Sequence, residues 1–131
     1  MGSVGIIANP SAGKDIRRLV ASGRVISNQE KANIITRFVK GLVYKGVNEI
    51  YFMPDKSGLF RPCVEELKND LDMKFLDTKH YDGPEQTLLA AKLINQLNCD
   101  CVLVLGGDGT NRLVAKNIGN VPVIPIFTGT N

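Results

Sequence analysis

Tryptophan is absent from this 131-residue chain, histidine occurs once and cysteine three times. The lone histidine, His80, lies in a polar stretch beside Tyr81 and Asp82 and reads as a solvated side chain rather than an acid–base residue. Cys63, Cys99 and Cys101 are odd in number and lack metal-site spacing, so they read as buried structural thiols. Cys99 and Cys101 straddle a strand entry, where a period of two puts both on one face. A redox pair is the alternative, and nothing else in the chain asks for it. Long apolar runs are also missing. None approaches the roughly 18–20 residues of a membrane span. Residues 4–8 are too short for a signal-peptide core and follow no cationic segment. Ile6 stands where a myristoylation signal needs Ser or Thr. These absences exclude a membrane partner and make the cytoplasm the default setting. The charge of one sign is weak as well: the formal net charge is +3, with Lys and Arg scattered, which argues against nucleic acid.

What is present is ordinary in amount and uneven in placement. Apolar residues make up 44% and charged residues 22%, as in a typical globular protein, and the length suits one domain with a real core. The chain is organised around residues 102–112, VLVLGGDGTNR. A β-branched apolar run, the mark of a strand buried on both faces, breaks into three glycines around Asp108. A helical pattern follows at once over 110–118, with Gly119 as its stop. Glycine permits positive φ and close approach of a ligand to the backbone. The free N–H groups of the following helix point into that turn and make an anion site suited to phosphate.

The remaining elements alternate. Residues 4–8 form a first strand, and Asn9 to Asp15 a turn opening a short helix over 16–21. This is not a Walker A loop: Ala8 occupies the position of its first glycine and Asp15 that of its Ser or Thr, so Lys14 is no P-loop lysine. Ser11 and the backbone near Gly13 could still form a second anion cradle. Ser27-Asn28-Gln29-Glu30 has capping-box form, and Ile34, Ile35, Phe38, Val39, Leu42 and Val43 follow at helical spacing up to Gly46. That stripe reads as core. Residues 49–53 are a second strand, 59–69 contain a helix whose start Pro62 obscures, and 73–76 are a short third strand near an edge. Pro84 opens another helix, with Leu89, Ala90, Leu93, Ile94 and Leu97 as its apolar face. Residues 101–105 and 121–126 are the last two strands, the latter interrupted by prolines. Five alternations imply a three-layer α/β/α, Rossmann-like domain with a mainly parallel sheet of about five strands, the loops of interest leaving carboxyl ends.

Gly106-Gly107-Asp108-Gly109-Thr110 resembles the signature of the superfamily that holds NAD kinases, diacylglycerol and sphingosine kinases and, more remotely, phosphofructokinases. Asn9-Pro10-Ser11-Ala12-Gly13 and Pro125 through Thr128-Gly129-Thr130-Asn131 support the match. Their order and separation are most similar to the ATP-NAD kinase branch that includes the acetoin-catabolism X proteins. The resemblance implies nucleotide or phosphate binding by Gly106, Gly107, Gly109, Thr110, Asn111, Asn9, Ser11, Gly13, Thr128, Gly129 and Thr130. It also implies phosphoryl transfer from ATP or polyphosphate, with Mg²⁺ or another divalent cation, to a hydroxyl; for NAD the acceptor is the adenosine ribose 2′-hydroxyl. Such transfer relies on positioning and charge stabilisation. Asp108 is then the catalytic candidate, as a base accepting the hydroxyl proton or as a ligand of Mg²⁺. Its structural alternative is a helix N-cap. Arg112 either clamps a phosphate or is solvated.

In the kinases it resembles, a second, largely β domain follows. The expectation here is the N-terminal nucleotide-binding part of such a kinase, residues 1–131, inactive or weak alone. One helix terminus contributes about 0.3–1 kcal/mol toward an anion, whereas millimolar binding needs about −4.1 kcal/mol. A lipid or sugar kinase of the same superfamily, and a non-catalytic nucleotide-binding or interaction module, are the alternatives. The expected partners are ATP and NAD, and self-association into a homo-oligomer stays open.

Overall fold

A computed structural model describes residues 2–9 and 27–127. Five strands run in order along the chain: β1 (Ser3–Ala8), β2 (Glu49–Phe52), β3 (Asp72–Phe75), β4 (Cys101–Gly106) and β5 (Val123–Phe127). Between them lie α1 (Asn28–Tyr44), α2 (Arg61–Leu67), α3 (Gly83–Gln96) and α4 (Asp108–Asn117). The sheet order is β3-β2-β1-β4-β5 and every pairing is parallel. Parallel neighbours need a crossover, and the helices supply it, which is why both faces of the sheet are covered.

The two faces divide the core. Ile6, Leu103 and Leu105 point toward α1 and α2, where Ile35, Val39, Cys63 and Leu67 are buried against them. Ile7, Val102 and Val104 point the other way, against Ala90, Ala91 and Ile94 of α3 and Val114 of α4. A strand with alternate residues in two cores must be apolar throughout, which is what the run 102–105 encodes. The three-layer α/β/α arrangement follows.

Local signals set most boundaries. Ser27 caps α1: its Oγ accepts from the Glu30 N–H at 3.1 Å, the serine half of a capping box, and the same hydroxyl lies 3.5 Å from the Glu30 carboxylate. The helix ends at Lys45, followed by Gly46 at φ 94°. The stop of α4 is likewise Gly119, at φ 68°. Pro62 and Pro84 sit in the first turns of α2 and α3, where a missing N–H costs nothing. Pro125 lies within β5, an edge strand whose outer side has no ladder to complete. The opposite edge, β3, is short and charged, with Lys74 3.4 Å from both Glu49 and Asp72.

Three expectations are corrected. Cys99 packs with the α3 and α4 side of the sheet, whereas Cys101 packs with the α1 and α2 side, so they do not share a face. The period breaks at Asp100, whose N–H donates to the Ser3 carbonyl and whose carboxylate accepts from the Ser3 N–H. All three cysteines are free, and burial pushes the Cys63 thiol up to about 11, with Cys99 and Cys101 shifted the same way for the same reason. These thiols fill core space rather than carry thiolate chemistry. Leu97 is 43% exposed, because α3 ends at Gln96 and the apolar face closes instead through Thr87, Ala90, Ala91 and Ile94. The helix after the glycine turn begins at Asp108 rather than at residue 110. The helix over 16–21 lies outside the described residues. Among the described residues no helix is long and apolar enough to cross a membrane.

Candidate functional site

In the order β3-β2-β1-β4-β5 the chain winds one way from β1 and the other way from β4, so a crevice opens where their carboxyl ends diverge. Ala8 pairs with Leu105 at the end of that ladder. The Asn9 N–H donates to the Leu105 carbonyl at 2.9 Å and carries the pairing one residue further. The chain leaving β1 and the glycine turn leaving β4 thus start side by side. Asn9 also reaches across: its Nδ2 donates to Thr110 Oγ1 at 3.2 Å.

Of the two reasons read from sequence for these glycines, freedom of φ and an open backbone, the turn does not use the first. Positive φ among the described glycines occurs at Gly46, Gly58, Gly83 and Gly119, and not at Gly106, Gly107 or Gly109. Gly106 lacks a side chain for reasons of packing: a Cβ there would come within 2.8 Å of Thr110 Cβ. At Gly107 and Gly109 a Cβ would meet nothing within 4 Å. Their bareness keeps the space before α4 clear. Gly107 is the N-cap of α4 in an extended conformation, φ −98° and ψ −166°, with no side chain to satisfy the first N–H groups of the helix. The first-turn N–H groups, at residues 108–110, have no intrahelical acceptor. This is the arrangement of a backbone anion cradle.

Asn111 holds the turn rather than facing outward. Its backbone N–H and its Nδ2 both donate to the Gly107 carbonyl, at 3.1 and 2.9 Å. These two hydrogen bonds fix the peptide linking Gly107 to Asp108, and with it the direction of the free N–H groups. Its Oδ1 is buried without a hydrogen-bond partner among the described residues. Asp108 is exposed in the first turn of α4, a helix whose N-terminal dipole favours a negative group, and is not among the residues that line the cleft described below. Arg112 is exposed and engaged by no described acceptor. Ser11, Gly13, Lys14, Thr128, Gly129, Thr130 and Asn131 lie outside the described residues.

From this turn a cleft of about 1240 Å³ runs along the carboxyl ends of β1, β2 and β3. Gly109, Thr110 and Asn9 line one end, and the loops after β2 and β3 line the other. Gln86 fastens those loops. Its Nε2 donates to the Pro54 carbonyl at 2.9 Å and to Thr78 Oγ1 at 3.2 Å, and Thr78 is only 3% exposed. Asp55 is occupied within its own loop, accepting from the Leu59 N–H at 2.8 Å and from Ser57. Asp77 accepts from the Lys79 N–H at 3.1 Å and supports Lys79 at φ 55°. His80 is exposed, as its polar surroundings implied, and stacks on Tyr81 at the cleft rim with ring centroids 4.8 Å apart. Among the described residues no cluster of three His, Cys, Asp or Glu side chains could enclose a metal.

The sequence matches the family described as the ATP-NAD kinase N-terminal domain over residues 4–131. The chain belongs to that family. Within the ATP-NAD kinase family it is similar to a protein named acetoin catabolism protein X from Cupriavidus necator. The two are 35% identical over 135 residues, covering 98% of this chain and 38% of that protein. The chain therefore spans well under half the length of this curated relative. No solved structure matches it.

Of the site residues expected from sequence, Asn9, Gly106, Gly107, Asp108, Gly109, Thr110 and Asn111 are described, and they lie together at the carboxyl ends of β1 and β4. What sequence reading missed in this ATP-NAD kinase domain is the outer wall of the cleft. Gln86 and Thr78 form part of no motif, and their significance comes only from two hydrogen bonds that join two loops to a helix.

Proposed function

We propose that this chain is the nucleotide-binding part of an NAD-kinase-like phosphotransferase, which transfers a phosphoryl group from ATP or polyphosphate to the 2′-hydroxyl of NAD. The observation that carries the reading is the side-chain-free space before α4. Gly107 and Gly109 leave it open, the first-turn N–H groups face it, and Asn9 and Asn111 fix its walls. A phosphate oxygen fits such a space as an acceptor of backbone donors. Asp108 is the one carboxylate of the turn. As base it would accept the proton of the attacking hydroxyl. As a metal ligand it would hold one side of Mg²⁺, an ion that ordinarily takes one or two carboxylates and completes its octahedron with phosphates and water. A donor set of one carboxylate suits an ion that arrives with the nucleotide, and the ion would neutralise charge on the transferring group. A cytoplasmic setting goes with this reading, and three free thiols are suited to it.

The test is a calorimetric titration with ATP and Mg²⁺, then NAD, of the chain and of Gly107→Ser. Serine is a favoured N-cap residue and the extended backbone of Gly107 accommodates it, so the variant should be as stable as the parent or up to about 1 kcal/mol more so. Its hydroxyl would also fill the open space and turn back onto the N–H groups that a phosphate needs. The expected outcome is a higher or equal unfolding midpoint with nucleotide affinity at least about tenfold weaker, a difference of about 1.4 kcal/mol. Equal affinity in the two proteins would place the nucleotide elsewhere. Heat on adding NAD after ATP would favour NAD as acceptor over a lipid or sugar.

A further inference from the structure

Phosphate contacts use only one end of the cleft. Its volume of about 1240 Å³ exceeds the roughly 300–1,000 Å³ typical of small-molecule sites, and most of its lining belongs to the loops after β2 and β3. Met53 and Leu76, both buried, and Pro54 and Pro84 give this outer part apolar surface. Two aromatic side chains stand at its rim. His80 and Tyr81 are exposed, and their rings stack with centroids 4.8 Å apart and planes 25° apart. An exposed ring beside a cleft has a face to offer a flat ligand.

The loop that carries the two rings is held in shape from several sides. The Thr78 N–H donates to the Leu76 carbonyl at 3.1 Å and the Tyr81 N–H to the Thr78 carbonyl at 3.2 Å. The Lys79 N–H donates to the Asp77 carboxylate, and the buried Thr78 hydroxyl accepts from Gln86. Lys79 is kept at φ 55°, a left-handed conformation that persists in a lysine only where its surroundings impose it. Rings fixed on such a loop lose little freedom when a third ring stacks on them, and this saving raises affinity. The two ends of the cleft together define the ligand. One end offers backbone N–H donors and suits an anion, and the other offers aromatic and apolar surface and suits a planar heterocycle. Lys56 and Lys79 stand against Asp55, Asp77 and Asp82 around the outer part, so charge there does not call for a second anion. Phosphate at one end and a flat heterocycle at the other describe a nucleotide.

We propose that the His80–Tyr81 pair is a base-stacking subsite: the planar base of a nucleotide packs on the exposed ring face, while the phosphates of the same molecule reach the turn at residues 106–110. The phosphate half of this statement rests on reading that turn as a phosphate site; the stacking half does not. Neither His80 nor Tyr81 belongs to the motifs around Asn9, Gly106 or Thr128, so the two halves use separate residues.

The experiment measures affinities for ATP, NAD and inorganic tripolyphosphate, each with Mg²⁺, in the chain, in His80→Ala and Tyr81→Ala singly and combined, in Tyr81→Phe and in Gly107→Ser. Tripolyphosphate has the phosphates of ATP without its base. The combined alanine variant is expected to weaken ATP or NAD by about 5–150-fold, the range for loss of a base–aromatic stack, and to leave tripolyphosphate within about threefold. Whichever of ATP and NAD loses affinity is the one whose base occupies the subsite, and the single variants show which ring it contacts. Tyr81→Phe keeps the ring and should stay within about threefold for every ligand. All these side chains are exposed, so the unfolding midpoint should hold and lost affinity is not lost fold. His80 is the only histidine, and its ring protons give an unambiguous NMR signal that the base should move upfield and tripolyphosphate should not. Unchanged ATP and NAD affinity in the combined variant overturns the proposal, as does an equal His80 shift with ATP and with tripolyphosphate. A loss in Gly107→Ser without one in the alanine variants removes the stack and keeps the phosphate site; the reverse removes the phosphate site and keeps the stack. No binding of ATP or NAD at millimolar concentration removes both.

Discussion

Asp108→Asn is expected to lower phosphoryl transfer by about 10²–10⁴-fold while leaving nucleotide affinity within about threefold. Whatever turnover the chain shows, alone or within a longer protein, should respond in this way. The substitution is close to isosteric and falls on an exposed side chain that caps nothing: the N-cap of α4 is Gly107, with no side-chain hydrogen bond. Structure and phosphate contacts should therefore survive. What is lost is a carboxylate able to accept the proton of an attacking hydroxyl or to share Mg²⁺. The rate of ATP-dependent formation of NADP from NAD measures the first loss, and its dependence on Mg²⁺ separates the two roles. Rescue by a large excess of Mg²⁺ would mark a metal ligand, and a uniformly low rate a base. Activity within about threefold of the parent would remove Asp108 from the chemistry.

The second large effect is on stability. Leu103→Ala is expected to cost about 2–5 kcal/mol, a large share of the roughly 5–15 kcal/mol that holds a domain folded. Leu103 is 0% exposed at the middle of β4, the strand between β1 and β5, with Ile6 and Ile124 as its register partners. Its side chain packs in the core under α1 and α2 while Val102 and Val104 on either side are held in the opposite core, so the backbone is not free to shift into the cavity. The comparison is Ile124→Ala in the same register row, where the side chain is 38% exposed and the loss should be about 1 kcal/mol. Thermal or denaturant unfolding of both variants measures the contrast. Equal losses would mean that β4 is not an interior strand of the sheet.

The fold was legible because its signals are local. An apolar run without alternation can be satisfied only by a strand covered on both faces, and residues 102–105 are such a strand. Ser27 and Glu30, Gly46 and Gly119, and Pro62 and Pro84 mark helix ends through chemistry confined to a few neighbouring residues. The glycine turn was legible as a place and as an open stretch of backbone, but not in its φ angles or its packing. Freedom of φ is what glycine offers in general, whereas the need at Gly106 is the distance to Thr110 and the need at Gly107 is empty space. Neither follows from the residue alone. Lys31 was invisible for a related reason. It is fully buried, with its Nζ 3.5 Å from the carbonyl of Asn9, 22 residues away, whereas a lysine in a polar helix start reads as solvated. Gln86 is the same case, since its partners Pro54 and Thr78 become neighbours only once β2 and β3 are paired. The misplacement of Cys99 relative to Cys101 comes from the bend at Asp100, which is held by Ser3 from the other end of the chain.

The central claim is that the turn from Gly106 to Thr110 receives a nucleotide phosphate. It is tested most directly by titrating the isotope-labelled chain with ATP and Mg²⁺ and following every backbone amide by NMR. The account expects the largest shifts at Gly107, Asp108, Gly109 and Thr110, with Asn9 moving alongside because its side chain is bonded to Thr110. Shifts confined to other surfaces, or none at millimolar ATP, would contradict it.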